Sequence, residues 1–310
     1  MPTTNPKKIK RRTMMAGGLA AGVTALAAHR GCAEEENTPR RVAMSNRMPV
    51  IFVPHGGGPY SYVDMGMPPS EVDDLATYWR ELPRRLPQAP SALLVISAHW
   101  EEDVPTVMTS PRPPMLYDYY NFPAAAYEIQ WPAPGHPGLA SRVRELLGDA
   151  GITTGENRER GFDHGTFVPL GRSFPDADIP TVQLSLKTGL DPEEHLAVGR
   201  ALTPLREEGV LIIGSGMSYH NMRGFRAAEA SQPARVFDAW LHATVLEPRE
   251  ARESALRRWE DAPMARQVHP REEHLLPLMV VAGTAQDDDS GSVPWNGTVG
   301  GKKVSAVQFG

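Results

Sequence analysis

Residues 92–100 read Ala-Leu-Leu-Val-Ile-Ser-Ala-His-Trp. A short uncharged run rich in branched apolar side chains suits a strand covered on both faces, and this one delivers a histidine, His99, at its carboxyl end. The pattern recurs. Residues 51–54 run directly into His55, and the apolar run 210–214 is followed within six residues by His220. In open α/β sheets ligands collect beyond the carboxyl ends of the strands, so three histidines far apart in sequence are expected to converge.

The rest of the chain fits such a sheet. Short apolar or β-branched runs at 49–53, 92–97, 181–186, 210–214 and 304–309 are predicted strands. Helix-patterned segments lie between them at 137–148, 191–208, 233–246 and 271–282. The second of these opens with Asp191-Pro192-Glu193-Glu194, an N-terminal signal, and repeats apolar residues at near-helical spacing. The alternation predicts an α/β fold: a central, mostly parallel or mixed sheet with helices on both faces, three layers in all. Residues 111–134 are a Pro- and Tyr-rich excursion too irregular for a regular element and aromatic enough to line a pocket. Residues 286–295, with Asp287, Asp288 and Asp289 in a row, read as a solvated loop before the last strand.

Composition narrows the chemistry. With 41% hydrophobic and 22% charged residues over 310 positions, the chain reads as a soluble globular protein, and the spread of candidate site residues from His55 to His274 favours one catalytic domain at 48–310. A single cysteine, Cys32, rules out a disulfide framework and any Cys-rich zinc module, so metal ligation falls to His, Asp and Glu. Residues 1–31 carry six basic residues and no acid. The Arg11-Arg12 pair ahead of a Gly/Ala-rich apolar stretch is expected to be an export signal of the twin-arginine type, with 32–47 as linker. The apolar stretch is too short for a permanent membrane span, and His29-Arg30 before Cys32 makes a poor lipidation site. Removal of the leader would take the formal net charge from −5 to −11, which argues against nucleic acid as a partner.

Ten histidines are present, and five sit in Gly-, Pro- or carboxylate-flanked contexts: His55, His99, His164, His220 and His274. Neutral imidazoles gathered from distant segments are what a borderline divalent ion such as Fe(II) or Zn(II) needs while remaining open to substrate. His136, His195, His242 and His269 read as solvated, and His29 lies in the leader. Gly56-Gly57-Gly58 after His55 makes either an ordinary tight turn or a place where backbone amides approach a ligand oxygen. His274 is expected at the start of a helix, where it and Glu273 point about 100° apart, so that only one of them faces the ion. Asp163 fixes the tautomer of His164 or caps a helix.

Seven motifs occur in order: VPHGGG (53–58), SAHW (97–100), WPAPG (131–135), GFDHG (161–165), PDADIPTVQLS (175–185), GSGMSYHN (214–221) and EEHLLPL (272–278). In these the chain resembles the class III extradiol ring-cleavage dioxygenase superfamily, and within it the DOPA 4,5-dioxygenase branch, over roughly 48–310. The resemblance implies metal ligation by His55, His99 and His274, an acid/base role for His220 and a supporting role for His164. It implies a catechol and O2 as reactants and Fe(II) as the working ion, with Zn(II) able to occupy the same site. Tyr117 and Tyr120 are candidates to meet the substrate.

The residue types suit that chemistry. Three protein ligands leave positions for a catechol and dioxygen, and a histidine can take a phenolic proton and later return it. A neutral three-histidine set also suits a zinc-dependent hydrolase, and the same fold can serve as a non-enzymatic metal-bearing binding protein.

Overall fold

The computed structural model describes residues 47–225 and 227–310; the expected leader, the linker up to residue 46, His29 and Cys32 lie outside the described residues. The elements follow in the order β1 (Val50–Pro54), α1 (Pro69–Glu81), β2 (Ala92–Glu102), β3 (Thr106–Met108), α2 (Pro137–Asp149), β4 (Gly155–Asn157), α3 (His164–Ser173) and β5 (Thr181–Lys187). They continue with α4 (Pro192–Leu202), β6 (Val210–Gly216), α5 (Ser231–Leu246), α6 (Arg249–Arg257), α7 (Ala265–Val268), α8 (Leu276–Thr284), β7 (Gly291–Val299) and β8 (Lys302–Phe309). One eight-stranded sheet runs β4-β3-β5-β2-β6-β1-β8-β7.

The middle of the sheet is parallel, β5 to β2 to β6 to β1; β3 joins β5, and β8 joins β1 and β7, antiparallel, while the edge strand β4 runs parallel to β3. That is why the middle strands are buried on both faces and read as unbroken apolar runs. On one side α8 lies on β1, β2 and β6, with α4 packed on α8; elsewhere α3 lies against β2 and β6 and packs on α1. The expected three-layer α/β arrangement is the observed one.

Local chemistry sets the elements. Asp191 caps α4, its carboxylate accepting from the Glu194 amide at 3.0 Å, and Pro192 and two glutamates fill the first turn. Helices α4 and α8 meet backbone to backbone: a Cβ on Gly283 would lie 2.2 Å from the Leu196 carbonyl, and one on Gly199 2.1 Å from that of Val280. The excursion at 111–134 contains a short 3-10 turn, Ala124–Tyr127, and one isolated bridge from Met115 to Phe162.

Several sequence expectations need correction. The Asp run is not wholly solvated, because Asp289 is buried and paired with the buried Arg206 through both carboxylate oxygens. Arg206 Nε also donates to the Met48 carbonyl at 2.8 Å, so this pair ties the entry to β1 to the loop before β7. His195 and His269 are core residues. His195 donates from Nδ1 to the Asp191 carbonyl and accepts the Lys187 amide, joining α4 to the end of β5. His136 accepts from the Leu139 amide and so caps α2, while His242 meets Ser305 Oγ at 2.8 Å.

Candidate active site

Parallel neighbours end at the same edge, and the site is built there. His55 follows β1, its amide held by the Gly216 carbonyl at the end of β6. His99 lies within β2 where the register with β5 breaks: five steps along β2, from Ile96 to Glu101, match two along β5. Such irregularities re-aim side chains beside functional sites. His164 opens α3. His220 follows β6, its amide bonded to the Val268 carbonyl.

His274 is placed differently from expectation. It sits in a turn just before α8, not on the helix, so Glu273 and His274 are not alternatives and both face the cluster. Glu273 Oε1 accepts from His274 Nδ1 at 2.8 Å and from His220 Nδ1 at 2.9 Å. The turn packs tightly on β6, whose Met217 amide donates to the His274 carbonyl; a Cβ on Gly216 would lie 2.2 Å from that oxygen. The glycines of GSG are therefore required by close approach.

The five imidazoles converge. Ring centroids of His55, His99 and His274 form a near-regular triangle, with sides of 4.8, 4.8 and 5.1 Å. His164 is 3.9 Å from His99, and His220 stacks on His274 at 3.3 Å.

Their hydrogen bonds assign the tautomers. Ser215 Oγ gives its proton to the Gly165 carbonyl at 2.5 Å, so it accepts from His55 Nδ1 at 3.0 Å. His274 gives its Nδ1 proton to Glu273, and His99 Nδ1 faces Asp118 at 3.6 Å. For His55 and His274 this leaves Nε2 as a bare lone pair, the form a metal ligand needs, with the other nitrogen oriented by a fixed acceptor, while His99 Nδ1 lies near the Asp118 carboxylate beyond hydrogen-bond distance.

Burial, followed by the neighbouring imidazoles, pushes the pKa of His55 and His274 well below the ordinary histidine value. Burial does the same to His99, where His164 adds to it and Asp118 opposes it. The Nε2 atoms of His55 and His99 face each other at 3.1 Å. With the proton on Nδ1 of both rings, two acceptors so placed would repel unless something electrophilic lay between them. Two nitrogens about 2.1 Å from one ion would be separated by about 3.0 Å in octahedral and about 3.4 Å in tetrahedral geometry. The donor set fits a divalent ion.

Some residues were invisible to sequence reasoning. Asp118, within the irregular excursion, accepts from His164 Nδ1 at 2.8 Å and from the His164 amide at 3.0 Å. Burial alone would raise its carboxyl, but the bonds to His164 and the nearness of His99 draw it down to about 2. Asp163 does neither of the things expected of it. Its carboxylate turns away from the His164 ring and from the helix amides, and accepts from Ser97, Arg160 and Gln183, each at 2.8 Å.

The imidazoles line one wall of a cavity of about 870 Å³ that also includes Gly56, Gly57 and Gly58. Its other walls come from Met65–Pro68, Glu71, the segment after β6 and the β7–β8 turn, not from the aromatic excursion. Tyr117 donates to the Ile129 carbonyl and packs among aromatic rings, and Tyr120 is 79% exposed; neither borders the cavity.

Comparison with known proteins adds the decisive finding: residues 49–304 match the family described as the catalytic LigB subunit of aromatic ring-opening dioxygenase. The chain belongs to this dioxygenase family. A relative from Beta vulgaris, named 4,5-DOPA dioxygenase extradiol, is 37% identical over 249 residues, covering 77% of this chain and 91% of that protein. A protein of the same name from Escherichia coli K12 is 34% identical over 274 residues, covering 87% and 97%. The crystal structure of an uncharacterized Escherichia coli K12 protein superposes with a TM-score of 0.70 at 31% identity, covering 85% of this chain and all of that one. The dioxygenase thus inserts O2 into a catechol-type ring at a non-haem metal site built from histidines.

Proposed function

We propose that the working ion is Fe(II), held by His55, His99 and His274, and that the substrate is a DOPA-like catechol, a dihydroxylated ring bearing a short side chain. One observation carries the ligand assignment: the three rings stand at nearly equal spacing, with Nδ1 of His55 and of His274 held by a fixed acceptor. When bound, the ion supplies the redox centre and the coordination positions at which catechol and O2 meet, which zinc, lacking redox chemistry, does not.

The protein's own groups handle protons. His220 directs Nδ1–H at Glu273, leaving Nε2 free to accept a phenolic proton at the cavity. Burial opposes ionisation of Glu273, but the His220 hydrogen bond and charge, with Arg271 behind them, outweigh it and hold the carboxyl below its usual value. The imidazolium formed on His220 therefore has a carboxylate ready beside it. His164, anchored by Asp118, presents Nε2 to the same cavity from the His99 side and orients the reactants there. Apolar walls limit water around them.

The test is oxygen uptake by iron-loaded protein with a catechol panel, with formation of a yellow ring-opened product. Uptake with iron and none with zinc is expected; hydrolysis by the zinc form without oxygen would overturn the reading. We also propose that residues 1–31 direct export by the twin-arginine route to the periplasm, a reading supported by the Arg11-Arg12 pair and the Gly/Ala-rich stretch behind it.

A further inference from the structure

His99 differs from the other two proposed ligands in how its ring is held. Nδ1 of His55 and of His274 lies within hydrogen-bond distance of a fixed acceptor, whereas Nδ1 of His99 stands 3.6 Å from the Asp118 carboxylate. Its strand gives little help. Registered pairing of β2 with β6 stops at Ser97, and pairing with β5 passes from Ile96 to Glu101.

Side chains take over at this point, and they form a closed circuit. The His99 amide donates to Ser97 Oγ at 3.2 Å, and that hydroxyl gives its proton to Asp163 Oδ1 at 2.8 Å. The His99 carbonyl accepts from Arg160 Nη2 at 3.1 Å, and the same nitrogen donates to Asp163 Oδ2 at 2.8 Å. The amide and the carbonyl of His99 thus both end on one carboxylate.

That carboxylate is itself fixed. Gln183, on β5, donates from Nε2 to Asp163 Oδ2 at 2.8 Å and accepts the Asp163 amide on Oε1 at 3.3 Å. The Arg160 guanidinium carbon lies 5.0 Å from the centroid of the Trp100 ring, a cation-π contact with the residue after His99. Ser97 and Asp163 are fully buried, where charge-assisted hydrogen bonds are strengthened.

An imidazole is aimed from its Cα, so peptide groups held on both sides of that atom set its direction. The geometry points to Ser97 and Arg160 as positioning residues that aim His99 at the metal, clamping its backbone to Asp163 where the regular ladder lapses. This rests on the assignment of His99 as a ligand.

Titration of the metal-free protein with Co(II), a divalent ion whose visible absorption reports its ligand geometry, tests the clamp without turnover. Ser97→Ala and Arg160→Met, with folding checked by chemical denaturation, should each bind Co(II) about ten- to hundredfold more weakly and with a shifted spectrum. Arg160→Lys, which returns a cationic donor to both oxygens, should recover most of the loss. Wild-type affinity and spectrum in either folded removal variant would overturn the inference, as would a loss that Arg160→Lys does not reduce. Should Arg160→Met not fold, Ser97→Ala decides alone; failure of both to fold would make the circuit a part of the fold and overturn its positioning role. His99→Ala separates the two readings. Unchanged Co(II) affinity in His99→Ala would remove the ligand assignment, whereas a loss confined to His99→Ala would keep that assignment and remove the clamp.

Discussion

Two imidazoles share one carboxylate oxygen, Glu273 Oε1, yet removing them should have different consequences. His274→Ala removes a bare Nε2 from the three-ring triangle, so the protein should lose metal together with activity, as read by elemental analysis. His220→Ala removes a proton acceptor, so metal should stay while turnover falls by about 10²- to 10⁴-fold. If His164→Ala emptied the site and His274→Ala did not, the third ligand would be His164, which groups closely with His55 and His99. A different histidine, outside the cluster, adds to acid sensitivity. His269 donates from Nε2 to the Ser218 carbonyl, while its Nδ1 is buried with no partner, and burial lowers its pKa to about 3. The unfolded chain binds this proton near pH 6.5 and the folded protein does not. Stability from this group is therefore complete above pH 6.5 and declines as pH falls towards 3. His269→Gln, which keeps a donor for Ser218, should flatten the chemical-denaturation profile across that window; an unchanged profile would show that the wild-type loss arises elsewhere.

Elements hold these residues through close backbone contacts, and α8 is the one that matters most for His274. Adding a methyl group at Gly283 would place it 2.2 Å from the Leu196 carbonyl and force α4 and α8 apart. Gly283→Ala should cost about 1–3 kcal/mol of stability. Because α8 follows the His274 turn, metal affinity should fall as well, which a structural change confined to the surface of α4 would not produce. The parallel strands were legible because burial on both faces removes polar residues from them. Helix α4 was legible from its Asp-Pro-Glu-Glu start. The start of α8 was not, since Leu276–Thr284 is apolar all round and carries no amphipathic period, so its N-terminus was placed five residues early. That shift changed Glu273 from a rival ligand into the group orienting two imidazoles. Asp118 was illegible for a related reason: its position depends on an irregular loop crossing the mouth of α3, and loops carry no periodicity to read.

At the scale of the whole molecule, two parallel strand ends and one turn bring together the proposed ligands, 219 positions apart from His55 to His274, so the histidine cluster exists only when the sheet is complete. The buried Arg206–Asp289 pair guards that completeness, joining the entry to β1 with the segment before β7. Asp289→Ala would leave an uncompensated buried guanidinium and should destabilise the protein by about 3–5 kcal/mol, measurable as a lower denaturation midpoint. Among the described residues no helix is long and apolar enough to cross a membrane. A site of this kind bears on the proposed export. A chain threaded unfolded across a membrane would have to assemble the site and find its ion outside, whereas a route that carries folded proteins lets both happen beforehand. Replacing Arg11 and Arg12 together by Lys keeps the charge of the leader and alters only the paired guanidinium groups. Cell fractionation should then find the protein retained in the cytoplasm, metal-loaded and with its leader intact. Undiminished export of the double variant would mean that the charge and apolar stretch of the leader suffice, and would remove the folded route from the proposal.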